Sequence, residues 1–384
     1  MRVLVLGGAG AVCSETTRDL ARYSDFDEIV IAEYNTQAAE ALAAELNDPR
    51  VKVVFFNADD YDGMVRLFRG YDVVVNGLPW KYDLAVTKAA VEAGVSGLDV
   101  STEEDQWDYD AAAKAKGIVF IPGVGATPGI TNLMAARGAS LMDQVDTIDI
   151  YFAAFRAPAP APGLLVTFLW EFDPQTEERT YYKDGQHHPV GPFEGTRRVR
   201  FHEQIGEQEV VIIPHPETRT LPRVFGAREV AVRGCFPPHA MRLAKALLEN
   251  GFYDPSPVQV GDRQARPLDF VYDLMLAMPG TKETPVWAYG LVVDVFGVKD
   301  GHPIHVRLWN EHPPQEEWGG PAAYYKNIGI PLSIGAQMIA HGQVKARGVV
   351  PPEAALAPEP FFAELAKRGI RIYEQITWER PAMG

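Results

Sequence analysis

The sequence has little cysteine, fewer basic than acidic residues, and no uninterrupted apolar stretch of membrane-spanning length. Two cysteines, Cys13 and Cys235, cannot form a disulfide framework or a thiolate metal site, so we expect a cytoplasmic protein. Lysine and arginine number 36 against 51 acidic residues, for a net charge of -15, which argues against nucleic acid as a partner. Because the chain starts directly with a strand-like run, we expect no signal peptide and no membrane anchor.

The sequence does have the length and apolar content of a two-domain globular protein. It contains 384 residues, of which 47% are hydrophobic, and domains average roughly 150 residues. Its nine histidines are scattered without the spacing of metal ligands, so we expect no metal site.

A glycine-rich turn near the start carries the first functional signal. The apolar run 2–6 leads into Gly-Gly-Ala-Gly-Ala-Val-Cys, and an amphipathic helical pattern follows over residues 14–23. Gly8 permits a tight turn, Gly10 lets the backbone approach phosphates, and the helix N-terminus attracts anions. The third glycine of the fingerprint is replaced by Cys13, so the match to a dinucleotide-binding turn is incomplete.

Glu33 supports the same interpretation. It ends the second apolar run, 28–32, about twenty residues after the turn, where an acidic residue contacts the adenosine ribose. A carboxylate there accepts hydrogen bonds from a 2′-hydroxyl and repels a 2′-phosphate. Because Tyr34 and Asn35 follow instead of an arginine, we predict NAD rather than NADP.

The first 125 residues alternate six strand-like and helix-like segments, which predicts an α/β Rossmann domain with a doubly wound parallel sheet. Ligands of such sheets lie beyond the carboxyl ends of the strands. We expect an aspartate at 59 or 60 near the adenine amino group, and residues 78, 79 and 101 beside the nicotinamide. The complete set of predicted cofactor contacts is Gly8, Gly10, Ala11, Val12, Glu33, Tyr34, Asp59, Asp60, Asn76, Leu78, Pro79, Ser101 and Pro128.

Residues 126–328 predict a second, α+β domain around a mostly antiparallel sheet. A proline-rich loop at 157–163 interrupts the strand pattern, which resumes at Leu164, and the Asp-Gly pair at 300–301 predicts a hairpin. We expect this domain to bind a small-molecule substrate and to form a homodimer. Residues 329–384, with a helix beginning at Pro331, are expected to return to the Rossmann domain.

Several segments resemble the saccharopine dehydrogenase-like family. Gly-Ala-Thr-Pro-Gly-Ile-Thr-Asn-Leu at 125–133 is similar to the helix start that follows the last Rossmann strand there. His-Pro-Glu-Thr-Arg-Thr-Leu-Pro-Arg at 215–223 and the stretch 329–353 resemble two further family motifs. Residues 126–132 and 137–140 look most like lysine 6-dehydrogenase. The resemblance implies hydride transfer between a carbon bearing an amine and the nicotinamide, giving an imine.

Such chemistry needs a general base within hydrogen-bond reach of the reacting groups. Our candidates are Asp99 at the ligand-binding edge, Lys81 after the fourth strand, and His215 with Glu217 in the second domain. For Asp99 the alternative is a residue that braces a loop, and for Lys81 it is a solvated loop position.

The candidate substrate contacts combine residues near that edge with two arginines. Asn132 has helix capping as its alternative. Arginine is the better partner for a substrate carboxylate because it binds in bidentate fashion, but we expect at least one of the two arginines to form a buried ion pair instead. The candidates are Trp80, Thr102, Glu103, Asn132, Arg223 and Arg233.

The leading hypothesis is an NAD-dependent dehydrogenase that oxidises a C–N bond of a basic amino acid, most simply lysine at its ε-carbon. One alternative is a saccharopine- or opine-type enzyme, which would need additional arginines for its carboxylates, and another is a carboxynorspermidine dehydrogenase-like enzyme. A third, of another class, is a non-catalytic regulator that binds NAD(P). The sequence has no Tyr-x-x-x-Lys pair, which excludes the short-chain dehydrogenase mechanism.

Overall fold

The computed structural model describes residues 1–379, which fall into two compact units. The first unit contains Met1–Arg137 and Tyr325–Arg371. The second contains Gly138–Tyr324 and, of the described residues, 372–379. Each unit is built around its own sheet.

These units differ in their bounds from the domain ranges 1–125, 126–328 and 329–384. Residues 126–137 belong to the first unit, together with the last Rossmann strand. As functional domains, the three ranges stay a prediction, and residues 380–384 of the third lie outside the described part of the chain.

Strands and helices alternate in the first unit, whereas strands predominate in the second. The strands are β1 Arg2–Leu6, β2 Glu28–Glu33, β3 Val51–Phe55, β4 Val73–Asn76, β5 Ser96–Asp99, β6 Val119–Ile121, β7 Gln144–Phe155, β8 Thr180–Lys183, β9 Gln186–Pro189, β10 Arg197–Arg200, β11 Glu207–Ile212, β12 Glu229–Cys235, β13 Val258–Val260, β14 Arg263–Ala265, β15 Ala288–Lys299, β16 His302–Glu311, β17 Gly348–Val349 and β18 Arg371–Trp378. The α-helices are α1 Cys13–Tyr23, α2 Thr36–Leu46, α3 Tyr61–Phe68, α4 Asp83–Ala93, α5 Asp110–Ala115, α6 Ile130–Ala139, α7 Pro162–Phe172, α8 Glu217–Phe225, α9 Pro238–Glu249, α10 Pro267–Ala277, α11 Gln315–Trp318, α12 Ala322–Ala340, α13 Pro352–Ala355 and α14 Pro358–Lys367. Short 3₁₀ helices occupy Trp80–Tyr82, Glu104–Tyr109 and Pro279–Lys282.

The sheet of the first unit is parallel, with its seven strands in the order β17–β6–β5–β4–β1–β2–β3. In β1 the side chains from Val3 to Leu6 are fully buried, as expected for a parallel strand covered on both faces. The chain leaves β1 toward β2 on one side and later returns to β4 on the other. This reversal places a ligand-binding crevice at the carboxyl ends of β1 and β4. The predicted doubly wound sheet is confirmed, and β17 adds a strand that the sequence analysis did not identify.

The sheet of the second unit is mixed but mostly antiparallel. Its main path is β10–β11–β12–β7–β15–β16–β18, and β8 and β9 attach beside β12. Only β7 and β12 are parallel neighbours among the strand pairs described. Asp300 and Gly301 turn the β15–β16 hairpin with φ angles of 51° and 77°, which confirms the predicted Asp-Gly hairpin.

Three predicted elements are wrong in type or extent. The run from Leu164, predicted as a strand, is helix α7, because its buried apolar residues 165, 168, 169 and 172 recur with the helical period rather than alternating. The helix predicted to begin at Pro331 begins at Ala322 and contains that proline. The helix predicted over 104–116 is a 3₁₀ helix followed by α5.

Two further findings bear on the classes of function considered above. None of the helices within residues 1–379 is long and apolar enough to span a bilayer. In the same range, histidine, cysteine and acidic side chains form no group of three that would hold a metal ion.

Candidate functional site

The turn between β1 and α1 has the geometry of a close phosphate approach. Gly7 has a φ of 65°, a conformation that favours glycine, and the Gly10 N–H donates to the Gly7 carbonyl at 2.9 Å. A Cβ at Gly8 would lie 3.1 Å from the Val5 carbonyl oxygen. Ala11 and Val12 complete the turn before the helix begins. The fold therefore places the predicted glycines and the free helix start where a dinucleotide pyrophosphate would fit.

Glu33 lies at the end of β2, beside this turn. The Ala9 N–H donates to its Oε2 at 3.4 Å, and the Tyr34 N–H donates to its Oε1 at 3.1 Å. The carboxylate is half-buried and is held next to the glycine turn. This arrangement suits a carboxylate that accepts hydrogen bonds from a ribose diol.

Of the next three predicted cofactor contacts, one side chain is exposed and two are hydrogen-bonded within the protein. Tyr34 is exposed and packs on Phe55, with 5.6 Å between ring centroids. Asp59 accepts a hydrogen bond from the Tyr82 hydroxyl at 3.0 Å. Asp60 caps α3 by accepting from the Gly63 N–H at 2.9 Å, so this carboxylate serves the helix N-terminus.

Asp99 and its neighbour Asp83 are buried carboxyl groups below the carboxyl edge of the sheet. Asp99 accepts hydrogen bonds from the Gln106 side chain at 2.7 Å and the Gly123 N–H at 3.2 Å. Burial, and then the charge of Asp83, raises its pKa well above the ordinary value. Both carboxyl oxygens are engaged, which is the geometry of a loop-bracing residue, and the role of Asp99 as a base stays a prediction.

Segments after β4 and β5 carry several further candidates at the surface of the first unit. Pro79 precedes the short helix Trp80–Tyr82, in which the Trp80 side chain is 54% exposed. The Lys81 ammonium lies 4.6 Å from the centroid of the Tyr82 ring. After β5, Thr102 is half-buried, and Glu103 caps the 3₁₀ helix that follows it.

The side-chain amide of Asn132 is hydrogen-bonded at both ends. Its Oδ1 accepts from the Gly129 N–H at 2.8 Å, and its amide donates to Glu353 at 2.8 Å. The Pro128 carbonyl accepts from the Gly125 N–H at 2.8 Å. Both ends of the Asn132 amide are occupied inside the first unit, which fits the capping alternative, and its role in substrate binding stays a prediction.

In the second unit, His215 and Glu217 form a buried pair at the start of α8. The His215 Nδ1 lies 3.0 Å from a Glu217 carboxyl oxygen, and Glu217 is fully buried. Burial alone would lower the pKa of His215, but Glu217, followed by Glu171, reverses the effect and raises it. The pair therefore holds an imidazole that accepts a proton readily, with its orientation fixed by the carboxylate.

Glu171 was missed by the sequence analysis. Its carboxyl group is 3% exposed on α7, and its Oε2 accepts no hydrogen bond from any residue in the described range. Burial raises its pKa to about 7, although His215, Arg156 and Arg179 oppose the shift. The signal was a single acid in the apolar run 164–172, and it was lost because that run was interpreted as a strand.

Two buried arginines whose charges act on Glu171 were also missed. Arg156 is 1% exposed and donates to the carbonyls of Ala157, Pro158 and Leu164 at 2.9–3.1 Å. Arg179 donates to the Glu171 carbonyl at 2.9 Å and to the Asp173 carbonyl at 2.8 Å. Both guanidinium groups hold backbone in place while they act electrostatically on the carboxylate.

The two predicted arginines lie elsewhere in the second unit. Arg233 donates to Asp149 at 2.6 Å and to the Gly195 carbonyl at 2.9 Å. Arg223 occupies the exposed last turn of α8. Arg233 therefore fits the alternative role of a buried ion pair, whereas the role of Arg223 in substrate binding stays a prediction.

Comparison with known proteins extends over almost the whole chain. Residues 3–121 match the saccharopine dehydrogenase NADP binding domain, and residues 125–370 match the saccharopine dehydrogenase C-terminal domain. Carboxyaminopropylagmatine dehydrogenase of Synechocystis sp. is 24% identical over 99% of both chains. Carboxynorspermidine synthase of Vibrio cholerae is 26% identical over 82% of this chain and 80% of its own.

Solved structures agree on the fold. Saccharopine dehydrogenase (L-Glu forming) of Saccharomyces cerevisiae has a TM-score of 0.69 at 15% identity, over 98% of this chain and 99% of its own. Homospermidine synthase of Legionella pneumophila, solved with NAD, has a TM-score of 0.63 at 14% identity, over 97% and 91% of the two chains. At these identities the similarity shows the fold alone.

The family resemblance and the dinucleotide cofactor inferred from sequence are confirmed, whereas the finer likeness to lysine 6-dehydrogenase stays a prediction. Two family domains in succession, with the glycine turn and Glu33 in the first of them, leave the non-catalytic alternative without support. The chain belongs to the saccharopine dehydrogenase family and is an NAD(P)-dependent dehydrogenase.

Proposed function

We propose that this dehydrogenase interconverts a carboxyl-bearing secondary amine of the polyamine type and the corresponding imine. In the oxidative direction, a hydride leaves the carbon beside the nitrogen, a proton leaves the nitrogen, and a carbon–nitrogen double bond forms. Water then releases an amine and an aldehyde. When bound, the nicotinamide supplies the hydride exchange, and the protein binds the substrate and moves the proton.

The observation that carries the proposal is the buried group of His215, Glu217 and Glu171 in the second unit. His215 takes the proton from the substrate nitrogen, with Glu217 3.0 Å away to orient the ring and stabilise its charged form. Glu171 has a buried oxygen that no described residue satisfies. A protonated amine is the ligand that such an oxygen favours, because the ion pair would compensate for the burial of the carboxylate.

The substrate class is supported by the charges around this group. A polyamine carries several ammonium groups, and the net charge of -15 favours the approach of a cation. The curated relatives are a carboxyaminopropylagmatine dehydrogenase and carboxynorspermidine synthases, whose names denote carboxylated amines of this kind.

The available arginines argue against the opine-type alternative. A substrate joining an amino acid to a dicarboxylic acid would need several guanidinium groups for its carboxylates. Arg156 and Arg179 hold backbone carbonyls, and Arg233 pairs with Asp149. Arg223 stays the predicted partner of a substrate carboxylate, so a substrate with one carboxylate and several amines fits these side chains better.

The test is a measurement of reduced-nicotinamide absorbance with NAD and with NADP. Carboxyaminopropylagmatine, carboxynorspermidine, saccharopine and lysine would be compared as substrates in the oxidative direction. We expect turnover of at least one of the two carboxylated polyamine-type amines, with a kcat/KM above that for lysine and saccharopine. Turnover of lysine alone would establish the basic amino acid hypothesis instead.

A variant of the buried histidine tests the residue assignment. We expect His215→Gln to lower kcat by roughly 100-fold or more, as loss of a general base does, without changing the Kd for the dinucleotide. His188→Gln, in the β8–β9 hairpin, is the matched control because that ring stacks on Tyr181 at 5.0 Å and has no acidic partner among the described contacts. An active His215→Gln enzyme would contradict the proposal.

A further inference from the structure

Two carboxyl groups of the first unit, Asp83 and Asp99, are fully buried at the carboxyl edge of the parallel sheet. Asp83 begins α4, and Asp99 ends β5, where it pairs in register with Asn76 of β4. The Asn76 side chain donates to Asp83 at 2.9 Å, and the same side chain lowers the pKa of Asp99. Asn76 therefore contacts Asp83 through its side chain and lies beside Asp99 in the strand register.

Asp83 connects the two segments expected beside the nicotinamide. On one side, Asn76 donates to Asp83 and accepts from the Leu78 N–H at 3.1 Å. On the other side, the Ser101 hydroxyl donates to the second Asp83 oxygen at 2.5 Å. A continuous series of hydrogen bonds thus runs from the segment after β4, through Asp83, to the segment after β5.

Asp99 connects the same region to two more parts of the unit. It accepts from the Gln106 amide at 2.7 Å, and Gln106 also donates to Thr87 of α4 at 2.8 Å. It accepts from the Gly123 N–H at 3.2 Å after β6. The two carboxyl groups together link the segments that follow β4, β5 and β6.

Two adjacent buried carboxylates are unstable as a pair of charges. Burial disfavours the ionised form of each, and each negative charge disfavours ionisation of the other. The charged groups that act on the pair are Asp83, Asp99 and Glu103, all acidic, and the donors that oppose them are neutral amides and a hydroxyl. Burial raises the pKa of Asp83 to about 7. In these surroundings, one of the two carboxyl groups keeps its proton.

We propose that Asp83 and Asp99 are a positioning pair that shares one proton and holds the segments after β4 and β5 in the conformation that receives the nicotinamide end of the dinucleotide. The pair acts through Leu78 and Ser101. When the shared proton is lost, repulsion between the two carboxylates loosens both segments. Dinucleotide affinity then falls as the pH rises through neutrality, and it is highest on the acidic side.

The test measures NAD binding, so it does not depend on the identity of the substrate. The Kd for NAD would be determined by calorimetric titration of the full-length protein from pH 6 to pH 9. For the unmodified protein we expect the Kd to rise roughly tenfold, the change that corresponds to one unit of pKa. Asp83→Asn replaces one carboxyl by a neutral amide of the same shape, so its Kd should stay nearly constant over this range. The matched control, Asp62→Asn in the exposed first turn of α3, should follow the unmodified protein.

A second variant tests the connection rather than the proton. Ser101→Ala removes the hydroxyl that joins Asp83 to the segment after β5 and leaves both carboxyl groups in place. We expect it to weaken NAD binding at every pH while the slope of Kd against pH persists. The proposal is overturned if Asp83→Asn retains the pH dependence of the unmodified protein, or if Ser101→Ala binds NAD unchanged. Loss of activity in His215→Gln with unchanged NAD binding would bear on the proposed reaction. It would leave the proposal for Asp83 and Asp99 unaffected.

Discussion

The Cys13 sulfur occupies the space that a side chain at Gly77 would need. A Cβ at Gly77 would overlap this sulfur and would lie 3.0 Å from the Leu6 carbonyl oxygen. Cys13 stands where the dinucleotide fingerprint has its third glycine, the residue that allows close packing of helix against strand. Here the facing segment after β4 supplies the glycine, so α1 still packs closely. The turn therefore has the close packing of a complete fingerprint although its third glycine is replaced.

Gly77→Ala should therefore destabilise the first unit. Overpacking at such a contact costs about 1–3 kcal/mol in the free energy of unfolding, and displacement of α1 should also weaken NAD binding. Cys13→Gly in the same chain should restore part of the loss, because it removes the overlapping sulfur. The measurements are thermal denaturation and NAD titration, with Gly70→Ala as the control, since a Cβ there would meet its nearest neighbour at 3.6 Å. Equal stability of Gly77→Ala and Gly70→Ala would disprove the contact.

Glu33→Gln should shift cofactor preference toward NADP. Removing a carboxylate from the position expected to contact the ribose relieves repulsion of a 2′-phosphate, worth roughly 1 kcal/mol at 4 Å in water, so we expect the ratio of NADP to NAD affinity to rise by roughly fivefold to tenfold. Titration with both dinucleotides measures it. Glu40→Gln, an exposed position on α2, should leave the ratio unchanged, and the same ratio in both variants would show that Glu33 does not select the cofactor.

Glu217→Gln should impair proton transfer by His215. Without this carboxylate, burial dominates and the pKa of the imidazole falls below its present raised value. We expect kcat to fall by roughly 100-fold and the acidic limb of the kcat–pH profile to move to lower pH. A profile that keeps its position would mean that the rate-limiting proton transfer involves another group.

Glu171→Gln should stabilise the protein at alkaline pH while it impairs substrate binding. The pKa of Glu171 in the folded state is about 7, against an ordinary value of 4.5, so the folded protein holds this proton more tightly than the unfolded chain. Stability from this group is therefore present at low pH and is lost as the pH rises from 4.5 through 7. The loss amounts to about 3 kcal/mol at most.

Thermal denaturation should give equal Tm values at pH 5 and a higher Tm for the Glu171→Gln variant at pH 8, with KM for the amine raised. A variant of lower Tm at pH 8 would refute this account.

Arg233→Met should affect stability rather than substrate binding. The guanidinium pairs with Asp149 at 2.6 Å and is largely buried, so its removal leaves a partly buried carboxylate without its partner. We expect a loss of about 3 kcal/mol in the free energy of unfolding, with KM unchanged. Asp149→Leu in the same chain should recover much of the loss, because it removes the stranded charge. A large rise in KM at unchanged stability would restore the sequence prediction that Arg233 binds the substrate.

The order of elements in the first unit was predictable because its signals are local. Apolar runs, glycine turns and helix starts follow one another within a few residues of chain, and six of the seven strands were identified from them. The position of Glu33 beside the turn was also predictable from spacing, since β2 pairs with β1 and ends next to that turn. The short strand β17 has only two residues, too few to produce a pattern.

The sequence was less informative where a residue's role depends on its surroundings. Asp99 and Asn132 hydrogen-bond to Gln106 and Glu353 inside the first unit, partners that no local pattern shows, and their functional roles stay predictions. Glu171 was missed because a short apolar run fits a strand or a buried helix equally well until its burial is known.

The sequence by itself determined the Rossmann unit, the dinucleotide turn, the family and the chemistry that the family shares, because each depends on residues that are neighbours along the chain. The tertiary structure alone decided which ionisable groups lose water and which partners they gain. Arg233 and Asp149 are 84 positions apart, and Asn132 and Glu353 are 221 apart. Such pairs form only when folding brings distant segments together, and burial then sets whether a carboxylate binds a ligand, caps a helix or retains a proton.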